Sequence, residues 1–262
     1  MEIVVLVKQV PDTESIISIA DDGVSIKKED IKWIMNPYDE LAVEEALQIR
    51  EAQGGTVTIL SMGPQKTIEA IRTALAMGAD KGVHINDPAT EGSDALATAK
   101  ILSAALKELP YDLIIAGHRA VDEDNYQVAA AVAEFLGIPQ ISMVVKTELG
   151  DGKIKCHRTL EGGSVVVEAA LPAMLTTQRG LNEPRYASLP GIMKAKKKPV
   201  DVKTAADLGI DPESVGATNR KLKIKTLRFP PQRQAVRMIE GESPAEIAAQ
   251  LLKVLHEETK II

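Results

Sequence analysis

A chain of 262 residues, 45% of them hydrophobic, is long enough to bury a sizeable core, and its length suits one large α/β domain with appendages better than two equal domains. A formal charge of −6 and an aromatic content of 3% argue against nucleic acid, since there is no global cationic field and little surface for base stacking. The single cysteine, Cys156, excludes an internal disulfide. With only 4 scattered histidines no metal site is expected, and His118 and His157 are read as surface or hydrogen-bonding residues.

The chain enters a strand at once. Glu2 to Lys8 is a short, nearly continuous apolar run rich in Val and Ile, the pattern of a strand buried on both faces of a parallel sheet. No apolar run approaches the roughly 20 residues needed to span a bilayer, so a soluble, cytoplasmic protein is expected. Three similar runs follow, Thr56 to Met62, Gly82 to Ile85 and Tyr111 to Ala116. Helical patterns separate them at Pro37 to Gln53, Pro64 to Met77 and Ser93 to Glu108. Asn36 and Pro37 form a good helix start, as N-cap and first helical residue. The alternation predicts right-handed crossovers in an open, doubly wound, mostly parallel sheet of the α/β class, with ligands gathering at the carboxyl ends of the strands.

From Pro139 the pattern changes. Ile141 to Thr147, Lys153 to Thr159, Ser164 to Ala169 and Ala173 to Thr177 read as added antiparallel strands, joined by the turns Gly150-Asp151-Gly152 and Glu161-Gly162-Gly163. Residues 1–198 are therefore expected to form the main domain. Beyond Lys198 the chain is polar and weakly patterned up to a helix at Pro244 to His256, so residues 199–262 read as an arm that packs on a partner subunit.

Two segments carry candidate chemistry. After Tyr111 to Ala116 comes Gly117-His118-Arg119-Ala120-Val121-Asp122-Glu123-Asp124-Asn125-Tyr126-Gln127-Val128, which runs into a helix at Ala129 to Leu136. Exposed amides and the dipole at a helix N-terminus favour an anion such as phosphate. The three carboxylates beside it are either simple helix-start acids or, with Asn125 and Gln127, the rim of a site for a phosphate of low charge, which argues for AMP over ATP. Leu6 to Val10, Asn36 to Asp39 and Met62-Gly63-Pro64 lie at neighbouring strand ends and could complete a pocket. Neither GxGxxG nor a P-loop lysine motif is present. The other segment is Asn182 to Lys198, where Pro184, Pro190 and Gly191 bracket Leu189 ahead of a lysine run. It reads either as a constrained docking loop with Leu189 near its tip or as a core leucine followed by a solvated basic face.

These segments, with Arg158-x-x-Glu161-Gly162-Gly163, Val7-Lys8-Gln9-Val10-Pro11-Asp12, Met35-Asn36-Pro37 and Ile71 to Asp80, resemble the electron transfer flavoprotein beta-subunit family over nearly the whole chain. The resemblance implies a Rossmann-like fold akin to that of adenine nucleotide hydrolases. It also implies an alpha-subunit partner that carries most of the contacts to a redox-active FAD. The pair would carry electrons from flavin-dependent dehydrogenases, such as the acyl-CoA dehydrogenases of fatty acid β-oxidation, to an acceptor quinone oxidoreductase, with no catalytic residue on this chain. In the AMP-binding branch the nucleotide positions match Leu6, Asn36, Pro37, Tyr38, Asp39, Met62, Asp122, Glu123, Asp124, Asn125, Tyr126, Gln127, Val128, Ala129, Ala130 and Ala131. Dehydrogenase docking falls on Leu189, with Tyr186, Pro190, Ile192, Met193 and Lys194 around it.

A second, electron-bifurcating branch holds another FAD where AMP would sit, and usually has a Gly-Asp-Thr-Ala-Gln-Val-Gly-Pro type of loop. Here Glu123 and Ala129-Ala130 replace the glycine and the Gly-Pro pair that would admit a diphosphate closely, which favours AMP. Val7 to Thr13 resembles the bifurcating branch, and Tyr126 stands where AMP binders more typically have asparagine. A stand-alone nucleotide hydrolase or ATP binder would need a Ser-Gly-Gly-x-Asp loop after the first strand or a later spaced glycine motif, and neither is present.

Overall fold

The computed structural model describes residues 1–232 and 235–262, which form two compact units, Met1–Lys225 and Thr226–Ile262. In chain order the strands are β1 (Glu2–Leu6), β2 (Gln9–Pro11), β3 (Trp33–Met35), β4 (Thr56–Met62), β5 (Lys81–Ile85), β6 (Leu113–Gly117), β7 (Gln140–Gly150), β8 (Lys153–Leu160), β9 (Gly163–Ala170), β10 (Ala173–Thr177) and β11 (Val200–Lys203). The helices are α1 (Pro37–Gln53), α2 (Ile68–Met77), α3 (Ala95–Lys107), α4 (Val128–Leu136), α5 (Leu189–Ala195), α6 (Gly216–Asn219) and α7 (Pro244–Lys253). None of the described helices is long and apolar enough to cross a membrane.

A nine-stranded sheet in the order β11-β5-β4-β1-β6-β10-β7-β8-β9 organises the first unit. Pairing is parallel from β11 to β7 and antiparallel through β8 and β9, which makes the fold the expected mostly parallel α/β sheet. Alternate residues of β1 enter two separate cores. Ile3 and Val5 pack with Ala42, Val43, Ala46 and Leu47 of α1 and with Ile71 and Leu75 of α2, whereas Val4 and Leu6 pack with Ile101 and Leu102 of α3 and Val132 of α4. This two-sided burial is why β1 reads as an unbroken apolar run.

Three features depart from the sequence reading. Ala173–Thr177 is not an antiparallel hairpin strand: β10 lies between β6 and β7 and is parallel to both. All five of its residues are buried, as a central strand requires, whereas β8 alternates only in its first half and β9 is open along most of its length. β7 serves both systems by changing partner at a bulge where Met143 adopts a φ of 59° and its N–H donates to the Thr176 hydroxyl. The expected boundary at residue 198 falls inside the first unit, because β11 adds to the sheet edge beside β5 and Ala205, Leu208, Ile210 and Val215 are buried against the α3–α4 core. β11 is short, has an exposed Val202 and follows a lysine run, so its alternation was hidden. The second unit carries α7, capped by the Ser243 hydroxyl, which accepts from the Glu246 N–H.

The third departure is at Leu189, which is the first residue of α5 rather than the tip of a loop; the Ser188 hydroxyl caps this helix by accepting from the Gly191 N–H. A β-carbon on Gly191 would come within 2.5 Å of the Ala76 carbonyl oxygen, so only glycine lets α5 approach the end of α2 this closely. The two helices cap each other. Arg72 of α2 donates to the carbonyls of Ala195 and Lys198 at 2.6 and 2.8 Å, and the Lys198 ammonium donates to those of Leu75, Gly78 and Ala79. Lys198 is thus set apart from the solvated run before it. Replacing it with Met is expected to remove the donor to the Leu75 and Ala79 carbonyls, leaving Gly78 only Arg50, and to lower stability by about 1–2 kcal/mol in urea unfolding, while Lys194→Ala should fall within about 0.5 kcal/mol of the parent.

Candidate functional site

Strand order reverses at β1: the chain builds outward through β4 and β5, then returns to lay β6 on the other side. A crevice at such a switch point, outside the carboxyl ends of the strands, is the usual ligand position in open α/β sheets. Here it is a cleft of about 390 Å³. Its apolar wall includes Leu6, Leu60, Met62, Leu102 and Ala116, and its polar rim includes Lys8, Lys28, Asn36, residues 90–94 and residues 117–120 with 123 and 125–127.

A buried carboxylate fixes the corner of this cleft. Asp39, in the first turn of α1, accepts hydrogen bonds from the N–H of Lys8 (2.7 Å), the N–H of Gly117 (3.0 Å) and the Asn36 amide (2.9 Å). A β-carbon at Gly117 would lie 2.2 Å from the Asp39 Oδ1, so the glycine is what lets the end of β6 reach this carboxylate. Asn36 stands at the N-cap position expected for it, yet its side chain caps nothing. Instead it also donates to the Arg119 carbonyl (2.8 Å) and accepts from the Val121 N–H (3.2 Å). Burial pushes Asp39 up to about 7 even though three N–H donors favour its ionised form.

The acidic segment does not present bare carboxylates. Lys8 reaches Asp122 at 2.8 Å and Glu123 at 3.6 Å, and Arg119 pairs with Asp124 at 2.7 Å. Arg119 also donates to the Tyr126 hydroxyl at 3.2 Å and stacks over the Tyr38 ring at 4.9 Å, while His118 meets Tyr126 edge-on at 4.9 Å. Burial, with the nearby charges of Arg119 and Arg158, holds His118 below its ordinary value, so the imidazole is neutral near pH 7. Behind the segment α4 begins at Val128 with no side-chain cap, whereas Asp94 at the start of α3 accepts from the Ala97 N–H. Val128 and Ala129, the first residues of α4, line the cleft, and no side chain caps the helix start there.

The profile of the electron transfer flavoprotein domain matches residues 24–208. An electron transfer flavoprotein subunit beta of Bacillus subtilis is 41% identical over 100% of both chains. Those of Thermoanaerobacterium thermosaccharolyticum and Mycobacterium bovis are 41% and 40% identical, covering 92% and 95% of this chain and 93% and 97% of their own. The chain belongs to the electron transfer flavoprotein beta-subunit family. In this electron transfer flavoprotein fold, Leu6, Asn36, Asp39, Met62, Glu123, Asn125, Tyr126, Gln127, Val128 and Ala129 come together around one cleft. Six other expected positions do not line it. Asp122 and Asp124 turn to Lys8 and Arg119, Tyr38 is buried beneath Arg119 with Pro37 beside it, and Ala130 and Ala131 continue α4, Ala131 packing toward the core.

Residues 90–95, Thr98 and Leu102 line the cleft and were not anticipated. Their signal was present, since they follow β5 and the rule that singled out the other strand ends applies equally to this one. The docking candidates form one outward patch on and before α5: Tyr186 is 99% exposed, Leu189 80% and Met193 62%, with Pro190, Ile192 and Lys194 also exposed.

Asp39 gives this electron transfer flavoprotein corner a pH signature. With its pKa raised from 3.8 to about 7, the folded state keeps a proton that the unfolded chain has released between those values. Its contribution to stability is therefore expected to fall as pH rises from about 4 to about 7, by at most about 1.4 kcal/mol per unit, and to level off above. Urea unfolding of the parent and Asp39→Asn from pH 4.5 to 8 checks this: the stability difference between the two should change across that window, and parallel profiles would mean that Asp39 is ionised throughout.

Proposed function

We propose that this chain is the beta half of a heterodimeric electron carrier, in which an alpha subunit holds most of the redox-active FAD and this chain holds AMP as a structural nucleotide. The observation that carries the reading is the uncapped start of α4 bordering a 390 Å³ cleft at the strand-order switch. Amides there suit one phosphate, and the ion pairs of Lys8 and Arg119 remove the repulsion that Asp122 and Asp124 would otherwise exert. The apolar wall, from Leu6 to Leu102, suits a base and ribose. Ala129, at the cleft, and Ala130 stand where the bifurcating branch has Gly-Pro, which favours AMP over a second FAD. The FAD supplies the one-electron and two-electron chemistry, and the residues of this chain bind, orient and dock.

The Tyr186–Lys194 patch is the docking surface for flavin-dependent dehydrogenases, with Leu189 as its anchor. Burying that side chain would contribute roughly 1.5–3 kcal/mol. The second unit offers Ile247, Leu251 and Leu252 of α7 as apolar material for the alpha subunit. Electrons would then pass to an acceptor quinone oxidoreductase, in a cytoplasmic pathway such as fatty acid β-oxidation.

Chromatography of nucleotides released from the denatured heterodimer tests the reading. One FAD and one AMP per heterodimer are expected; two FAD without AMP would replace it with the bifurcating alternative, in which the second FAD accepts hydride from NADH. Leu189→Ala is expected to slow dehydrogenase-dependent reduction at limiting carrier by about tenfold, with FAD content intact. Unchanged kinetics would remove the patch from the docking role.

A further inference from the structure

The segment 122–127 contains two non-glycine residues in left-handed backbone, Asp124 at φ 48° and Tyr126 at φ 59°. Aspartate tolerates this region through its short polar side chain, but for a bulky residue it is an outlier that persists only when surrounding contacts impose it. Nothing inside the segment supplies that constraint. Its internal bonds run from the Asn125 amide to Glu123 and from the Gln127 N–H to the Asn125 side chain, and neither involves the side chain of residue 124 or 126.

The contacts come from just upstream: the Ala120 carbonyl accepts from the Asp124 N–H at 2.9 Å, the His118 ring meets Tyr126 edge-on, and Arg119 is the one side chain that reaches both strained residues. Arg119 Nη1 donates both to Asp124 Oδ2 at 2.7 Å and to the Tyr126 hydroxyl at 3.2 Å. The guanidinium is itself held against the ring of Tyr38, 4.9 Å from its centroid, and Tyr38 is buried in the first turn of α1. The Arg119 backbone is anchored in turn, because its carbonyl accepts from Asn36. A rigid helix start thus fixes an arginine, and the arginine fixes the two strained residues beside the cleft.

We propose that Arg119 is a positioning residue for nucleotide binding: it holds Asp124 and Tyr126 in their left-handed conformation before the ligand arrives, so that the cleft wall and the start of α4 are already shaped. This rests on the cleft being the nucleotide site proposed above. The ordering cost that Arg119 has met in advance is one the nucleotide does not meet on binding. Direct contact between the guanidinium and a phosphate is the competing role, and the two make different predictions.

The test uses the heterodimer stripped of nucleotide, with the parent, Arg119→Met, the background Asp124→Gly/Tyr126→Gly, and the triple variant. Hydrogen exchange is read first, without nucleotide, at the Asp124 and Gln127 amides, which donate to the Ala120 carbonyl and the Asn125 side chain. Arg119→Met is expected to speed exchange there by about tenfold and to leave α1 and β6 protected. AMP affinity is read next by calorimetry. Arg119→Met should bind about tenfold more weakly, but in the glycine background, where positive φ carries no penalty, the same substitution should cost less than about threefold. An equal loss in both backgrounds would mean direct phosphate contact and would overturn the proposal, as would unchanged exchange in Arg119→Met. Absence of AMP binding by the parent would refute the nucleotide reading, while the exchange result would still decide whether Arg119 orders the segment.

Discussion

The cleft depends on one buried acceptor. Two backbone N–H groups remote in sequence, of Lys8 just after β1 and of Gly117 at the end of β6, meet at the Asp39 carboxylate, where the side-chain amide of Asn36 at the start of α1 joins them. A sheet that branches on both sides of β1 leaves the N–H groups at the ends of those strands without ladder partners, and buried N–H groups must find acceptors. Asp39 accepts from two of them, and Asn36 extends the connection to residues 119 and 121. The opening between β1 and β6 is therefore a defined corner rather than a gap between two loops.

α1 carries this order to the other candidate surface. Glu44 and Glu51, two helical turns apart, face the segment that leads into α5, and Arg185 spans them, with bonds of 2.8 and 3.0 Å to Glu44 and 2.6 Å to Glu51. Glu45 and the Leu41 carbonyl accept from Asn182. Burial works to raise the Glu44 carboxyl, but the hydrogen bonds and charge of Arg185 together with the hydrogen bond from Gln48 outweigh it and hold the group below its ordinary value. Its ionised form therefore adds stability at neutral pH, and that part is lost as pH falls through the lowered value. Together with the reciprocal caps between α2 and α5, these contacts hold an exposed tyrosine and leucine on a fixed base. An apolar anchor on a fixed base loses little entropy on binding, which distinguishes this patch from an ordinary exposed leucine.

How much of this was legible in the sequence follows from which interactions are local. β1, β4, β5 and β6 announced themselves because burial on both faces produces continuous apolar runs, and α1 because Asn36-Pro37 marks a helix start. β10 was visible as a strand, but its direction was not, since a five-residue buried run looks the same in either orientation and its neighbours β6 and β7 lie far away in sequence. β11 and the buried residues up to Val215 escaped because single apolar residues in a polar segment gain meaning only from the surface they cover. At the site, residue types around the 117–128 segment were legible from its strand-turn-helix context. Which carboxylates face the cleft was not: Asp122 and Asp124 are withdrawn by Lys8 and Arg119, and the pairing of Lys8 with Asp122 spans 114 residues. The double role of Asn36 was equally hidden, because a cap residue and a bridging residue have the same identity.

The shared helix also bears on what kind of nucleotide the cleft suits. The cleft corner sits on the first turn of α1 and the docking segment on its middle and end, so this helix is the element that touches both directly. That helix is wedged by Val43, Ala46 and Leu47, all fully buried in the core shared with β1 and β4. Coupling between sites requires an element with two arrangements of similar energy, and close packing makes any shift of α1 costly. A ligand with equal affinity for every accessible arrangement of the docking face cannot bias that face, however tightly it binds. A nucleotide that does not distinguish between arrangements of α1 would stabilise the corner without reporting its presence to the Leu189 patch, which is the behaviour the proposed structural nucleotide requires.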